Sequence, residues 1–158
     1  MRVQHSEDSG PRGGELRPAR PEEAATLTAL ALRAKRHWGY DEAFMAAVAP
    51  GMAVAAEDIA TGDCWVVAQA GQPVAFGLRF GALLDALFVL PPAIGHGHGS
   101  RLLRHLAARA KAEGHGGLDI VADPFAAAFY ERHGAVRVGD QPSRDIPGRV
   151  LPVYRLPL

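Results

Sequence analysis

Gly95, Gly97 and Gly99 alternate with His96 and His98 and lead into Ser100, in the run AIGHGHGSRLL. Before this run, LLDALFVL (residues 83–90) reads as an apolar strand, and Pro91 and Pro92 end its pairing because neither can donate a ladder hydrogen bond. After it, Leu102, Leu103, Leu106, Ala107 and Ala110 recur at helical spacing from Ser100 onward. A glycine loop between a strand and a helix is an anion site. Its unpaired N–H groups converge, and the helix macrodipole adds about half a positive charge at that end. The expected ligand carries phosphate. The run is neither a GxxxxGK[ST] phosphate loop nor a dinucleotide fingerprint, so context has to decide what the phosphate belongs to.

Other side chains have two readings each. His96 and His98, two residues apart without a third ligand nearby, make a poor zinc set, so no metal is expected; they stand beside a phosphate or in solvent. Asp85 interrupts the apolar strand. Alternation puts it on one face with Leu87 and Val89, opposite Leu84 and Phe88. A carboxylate there is costly unless solvated or partnered, so it is either a reactive group or an edge or bulge residue facing water. Asp123 before Pro124 is a helix N-cap. His37, Trp38 and Tyr40 (HWGY) suit a pocket wall as well as a packed corner. Arg149 in IPGRVLP binds an acidic group or braces the last strands. Arg101 and Arg104 reach a phosphate or are solvated. Cys64 reads as a small buried hydrophobe.

The elements that must position these groups follow in order. Residues 1–13 are polar and read as a disordered leader. Glu15–Ala19 is a short strand, Pro21 opens a helix that Gly39 ends, and Asp41 caps a second helix. Pro50-Gly51 is expected to turn the chain, Met52–Ala56 to be extended and Ile59–Asp63 a connection. Cys64–Gln69 and Val74–Phe80 form a hairpin about Gly71-Gln72, and the strand from Leu83 extends it to a three-stranded meander. A helix from Ser100, a strand over Leu118–Ala122, a helix over Pro124–His133 closed by Gly134, and strands over Ala135–Gly139 and Val150–Leu156 complete the order. The fold class is α+β, one mixed sheet with helices on both faces. The 158 residues make one domain, and 17 basic against 17 acidic residues give no global reason to bind nucleic acid or an anionic membrane. One cysteine and no membrane-spanning or signal-like run place the chain in the cytoplasm.

VLPPAIGHGHGSRLL followed by DPFAAAFYERHGA resembles the GNAT N-acetyltransferases, from about Glu15 to the C-terminus. That family carries [RQ]-x-x-G-x-[GA] after a hydrophobic strand and later A-x-x-F-Y-x-x-x-G-[FA]. The resemblance implies a GNAT-like fold that transfers acetyl from acetyl-CoA to a primary amine of a small molecule, without a metal. Gly97 and Gly99 fall on the motif's small positions, and Ile94 stands where Arg or Gln is usual. By resemblance, Ile94, Gly95, His96, Gly97, His98, Gly99 and Ser100 surround the pyrophosphate. Leu87, Phe88 and Val89 pair with the pantetheine arm, and Asp123 stands near a cofactor contact. Tyr130 matches the family's acid: a phenol near pKa 10 stays protonated at neutral pH and can donate to a thiolate whose acid form is near 8.5. Asp85 matches a carboxylate facing the acceptor, as general base. His37, Trp38, Tyr40 and Arg149 fall in the acceptor region. Attack is direct, in a ternary complex, since no cysteine is placed as nucleophile. The alternative is a non-catalytic sensor of CoA or another phosphorylated ligand. Edge pairing or exchange of the last strands offers a route to a homodimer.

Overall fold

The computed structural model describes residues 13–158, so the leader lies outside the described residues except for Gly13. Seven strands form one sheet: β1 (Glu15–Pro18), β2 (Asp63–Gln69), β3 (Gln72–Phe80), β4 (Leu83–Val89), β5 (Gly117–Val121), β6 (Val136–Pro142) and β7 (Val150–Pro157). Their order is β1-β2-β3-β4-β5-β7-β6, and among them only β4 and β5 pair in parallel. Helices α1 (Ala24–Arg36), α2 (Glu42–Met52) and α3 (Ala56–Thr61) precede β2; α4 (His98–Ala112) follows β4 and α5 (Ala127–Arg132) follows β5. Leu27, Leu30 and Ala31 of α1 and Ile59 of α3 pack on Val66, Phe76 and Leu78. On the other face, Leu103 and Leu106 of α4 and Tyr130 of α5 pack on Leu118, Ile120 and Tyr154. The mixed sheet with helices on both faces is the expected α+β architecture.

Local chemistry explains most boundaries. Asp41 accepts the Phe44 N–H at 2.8 Å and Asp123 the Phe125 N–H at 2.9 Å, each capping the element after it. The β2–β3 hairpin turns through Ala70 and Gly71, both at positive φ (51° and 80°), which matches the twist of the strands on either side. Four expectations fail, the first being this turn, which lies one residue before Gly71-Gln72 because Gln72 already pairs in β3. Pro50 and Gly51 do not turn the chain; they form the last turn of α2, where a proline loses one N–H bond without interrupting a longer ladder. The stretch expected to be extended and then connecting contains α3, opened by the Asp58 carboxylate accepting the Ala55 N–H at 2.8 Å. Six residues with one buried apolar side chain, Ile59, leave no periodicity to detect. And α4 starts at His98, two residues before Ser100.

At the β3–β4 turn, the Arg79 side chain is 1 % exposed and bonds the Asp63 and Glu113 carboxylates and the Gly81 carbonyl. Arg109 also holds Asp63, at 2.9 Å. Removing one partner of such a cluster leaves a desolvated carboxylate short of cations. Arg79→Met is therefore expected to lower unfolding stability by about 3 kcal/mol, read as a drop in the urea midpoint at unchanged slope.

Candidate active site

The site begins with an irregularity in β4. Leu78 pairs with Ala86 but Arg79 with Leu84, so Asp85 is the extra residue of a β-bulge. A bulge bends its strand, and β4 meets β5 at only two positions, Leu83 with Asp119 and Leu84 with Ile120. Beyond Asp85 the two strands part. The edge of β4 from Ala86 to Val89 that faces β5 has no strand partner, while its other edge stays paired to β3. The bulge also breaks the alternation expected across this strand: Leu84 and Leu87 share one cluster, whereas Ala86 and Phe88 pack on the opposite face. A cleft of about 410 Å³ opens where the strands separate, lined by Asp85, Leu87–Val89, Ile94, Gly99, Asp123, Phe125 and Tyr130 among others.

The glycine loop lies at the end of that open edge. Ile94 N–H bonds the Pro91 carbonyl at 3.2 Å, and Arg101 N–H bonds Gly97 at 3.0 Å. Between them, the backbone N–H groups from Gly95 to Ser100 donate to no acceptor among the described residues. Gly95 and Gly97 sit at φ +88° and +82°, which L side chains rarely adopt, and a Cβ on either would meet nothing within 4 Å. Gly99 is different: a Cβ there would meet the Phe129 ring at 3.4 Å and Val89 at 3.6 Å. The glycines thus serve backbone conformation at two positions and close packing at the third.

The side chains of this loop are placed less simply than the sequence suggests. His98 is buried, with its Nε2 unpartnered, and burial lowers its pKa; only its main chain belongs to the loop's open side. His96 Nδ1 donates to the Ala93 carbonyl at 3.0 Å. Ser100 Oγ hydrogen-bonds His133 Nε2 at 2.8 Å. Arg101 turns away to the carbonyls of Gly13 and Gly14, 2.9 and 3.0 Å distant, so Gly13 is tied to α4 rather than free.

Tyr130 is 7 % exposed, edge-on to Phe129 (ring centroids 5.2 Å apart), and its hydroxyl has no hydrogen-bond partner among the described residues. Burial raises its pKa above the usual tyrosine range. Asp85 opens into the cleft. Desolvation and then the Asp58 carboxylate raise its pKa, opposed by Arg144.

Asp123 lines the cleft, and its carboxylate is engaged by the protein's own groups. Its carboxylate accepts from Lys35 Nζ at 2.6 Å, from Tyr40 Oη at 2.9 Å and from the Phe125 N–H. Burial alone would raise its pKa; the bonds from Lys35, Phe125 and Tyr40 outweigh it and hold the pKa below the ordinary value. Tyr40 in turn accepts from Arg149 Nη2 at 2.6 Å. Of the HWGY residues, Trp38 lines the cleft and stacks on Phe125 (5.3 Å, 5° between planes), Tyr40 lies in this network, and His37 is exposed, in ring contact with Trp38. Lys35 is the partner that sequence reasoning missed; it is 88 residues from Asp123 and reads as an ordinary last-turn cation.

The sheet thus parts at its one parallel pair, beside a row of amides unbonded among the described residues. Residues 60–134 match the family model of the acetyltransferase (GNAT) domain. A GCN5-related N-acetyltransferase from Rhodopseudomonas palustris superposes with a TM-score of 0.79 at 25% identity, over 92% of this chain and 96% of that one. Apo YjaB from Escherichia coli gives 0.68 at 25% identity over 90% and 95%. The PaiA N-acetyltransferase of Thermoplasma acidophilum, solved with coenzyme A, gives 0.73 at 13% over 91% and 98%. No curated protein matches the chain. Residues 60–134 thus carry the GNAT acetyltransferase domain, and the chain as a whole shares its fold with these acetyltransferases.

Proposed function

We propose that this acetyltransferase moves the acetyl group of acetyl-CoA to a primary amine of a small molecule by direct attack in a ternary complex. The observation that carries the reading is the row of unbonded amides from Gly95 to Ser100, set at the end of a β4 edge that the Asp85 bulge leaves unpaired. Such amides at a helix start suit a diphosphate, and an open strand edge suits an amide-bearing arm that pairs like an added strand. The solved PaiA structure holds coenzyme A on the same fold. Acetyl-CoA supplies an activated acetyl thioester; the protein supplies position and proton donors. Gly95–Ser100 hold the diphosphate, the Leu87–Val89 edge holds the pantetheine, and Tyr130 donates to the departing sulfur. Asp85 receives the amine's proton. Direct attack is supported by Cys64, which is buried with its thiol pushed up to about 12 and so is no nucleophile at neutral pH.

The test is free-thiol release from acetyl-CoA across a panel of primary amines, followed against pH. Amine-dependent release is expected. Because the Asp85 pKa is raised, its basic form is lost at a higher pH than for an ordinary carboxylate near 3.9. So kcat/KM falls as pH drops through that raised value, and Asp85→Asn removes this limb. Failure to release thiol with any amine, together with no binding of acetyl-CoA at millimolar concentration, would overturn the reading.

A further inference from the structure

The Lys35–Tyr40–Asp123–Arg149 cluster carries more cation than it needs for itself. Lys35 and Arg149 share one carboxylate, and the exposures of Lys35, Arg149 and Asp123 are 14%, 17% and 12%. Two partly enclosed cations beside a single anion leave a net positive charge, an arrangement that a second anion relieves. The geometry repeats the point. Asp123 is held closely by Lys35 and Tyr40, but Arg149 Nη2 stands 3.5 Å from it, longer than a good charged hydrogen bond. The one short bond Arg149 makes is to Tyr40 Oη, through the same Nη2. Its Nε and Nη1 have no partner among the described residues, and neither is sealed from solvent. The guanidinium is nonetheless fixed in orientation, lying 5.2 Å from the Tyr40 ring centroid and 4.8 Å from that of Phe44. A guanidinium held still with the three N–H donors of Nε and Nη1 free can donate to a further anion such as a carboxylate.

Asp123 and Lys35 line the cleft, and Asp85 is the other carboxylate lining it. The electrostatic neighbours of Asp85 are Asp58 and Arg144, not Lys35 or Arg149. The cleft therefore has an acidic position for an ammonium group and, bordering it through Lys35 and Asp123, a basic cluster whose Arg149 is not itself a lining side chain.

We propose that the acceptor is an amine that also carries a carboxylate, gripped by Arg149 with Lys35 beside it. The proposal rests on the acetyl-transfer reading of this cleft.

The experiment compares pairs of amines that differ only in the carboxylate: an amino acid, its amide and its decarboxylated amine, each assayed by thiol release with the full chain. The carboxylate member is expected to show at least about tenfold higher kcat/KM, which is the discrimination worth about 1.4 kcal/mol. In Arg149→Gln that preference is expected to shrink toward unity, and Arg149→Lys to restore part of it. Thermal melting and acetyl-CoA titration of each variant establish that it is folded and loaded. A neutral amine used as well as its carboxylate partner, or a preference that survives in a folded Arg149→Gln protein, overturns the proposal. Transfer without carboxylate preference sinks this inference alone. Transfer to no amine whatever sinks the acetyl-transfer reading and this inference with it.

Discussion

Tyr130→Phe is expected to lower kcat by about 100-fold while leaving acetyl-CoA binding and thermal stability close to those of the parent. The two halves of this expectation have separate causes. The Tyr130 hydroxyl bonds no described residue, so its removal breaks no hydrogen bond in the protein. The ring that packs edge-on against Phe129 is retained, and the hydroxyl is not sealed from the cleft, so the melting temperature should hold. The chemistry, on the proposed mechanism, loses its donor. A phenol whose pKa burial has raised keeps its proton at every pH at which an amine nucleophile is abundant, and can offer it to the sulfur as the thioester breaks. Rapid-quench or steady-state thiol release on both proteins, with acetyl-CoA affinity measured by calorimetry, separates the halves. Turnover within twofold of the parent would remove Tyr130 from the mechanism, and a large loss of stability would show that the residue is structural.

Gly97→Asp is expected to weaken acetyl-CoA binding by at least about 100-fold, equivalent to about 2.7 kcal/mol, with little loss of stability. Gly97 is the N-cap of α4 at φ +82°, in the left-handed region that Asp and Asn tolerate better than other side chains. Nothing within 4 Å obstructs a Cβ there, and an acidic group beside the helix start is favourable to the helix. The same carboxylate would sit among the free amides of Gly95–Ser100 and repel a diphosphate. Gly97→Asn, similar in shape and backbone preference but uncharged, is the control. If the cradle works electrostatically, Asn loses much less affinity than Asp. Equal losses would mean that the loop's conformation, rather than its charge, decides binding.

Parts of this site were legible in the linear chain because they are local. The strand, the Pro91-Pro92 stop, the glycine loop and the amphipathic helix each follow from neighbours a few residues apart, and all four occur in the expected order, the helix starting two residues early. The FYERHGA segment places Tyr130 on α5, and packing puts it on the cleft. The failures are also physical. Strict alternation assigned Asp85 a face, but a bulge adds one residue to a strand without changing composition, and only pairing with β3 reveals it. Asp123 reads as a cap and is one, yet the same carboxylate binds Lys35 from the end of α1 and Tyr40 just beyond it, and lies close to Arg149 before β7.

By itself, then, the sequence determined most of the elements, their α+β class and the glycine loop between β4 and α4, since propensity, capping and periodicity act over a turn or two of chain. Tertiary structure alone decided where β4 and β5 separate, which side chains the separation exposes, and that Lys35 and Arg149 gather on one carboxylate. Those outcomes depend on strand register and on contacts between residues up to 88 positions apart, and nothing local in a chain encodes a distance of that kind.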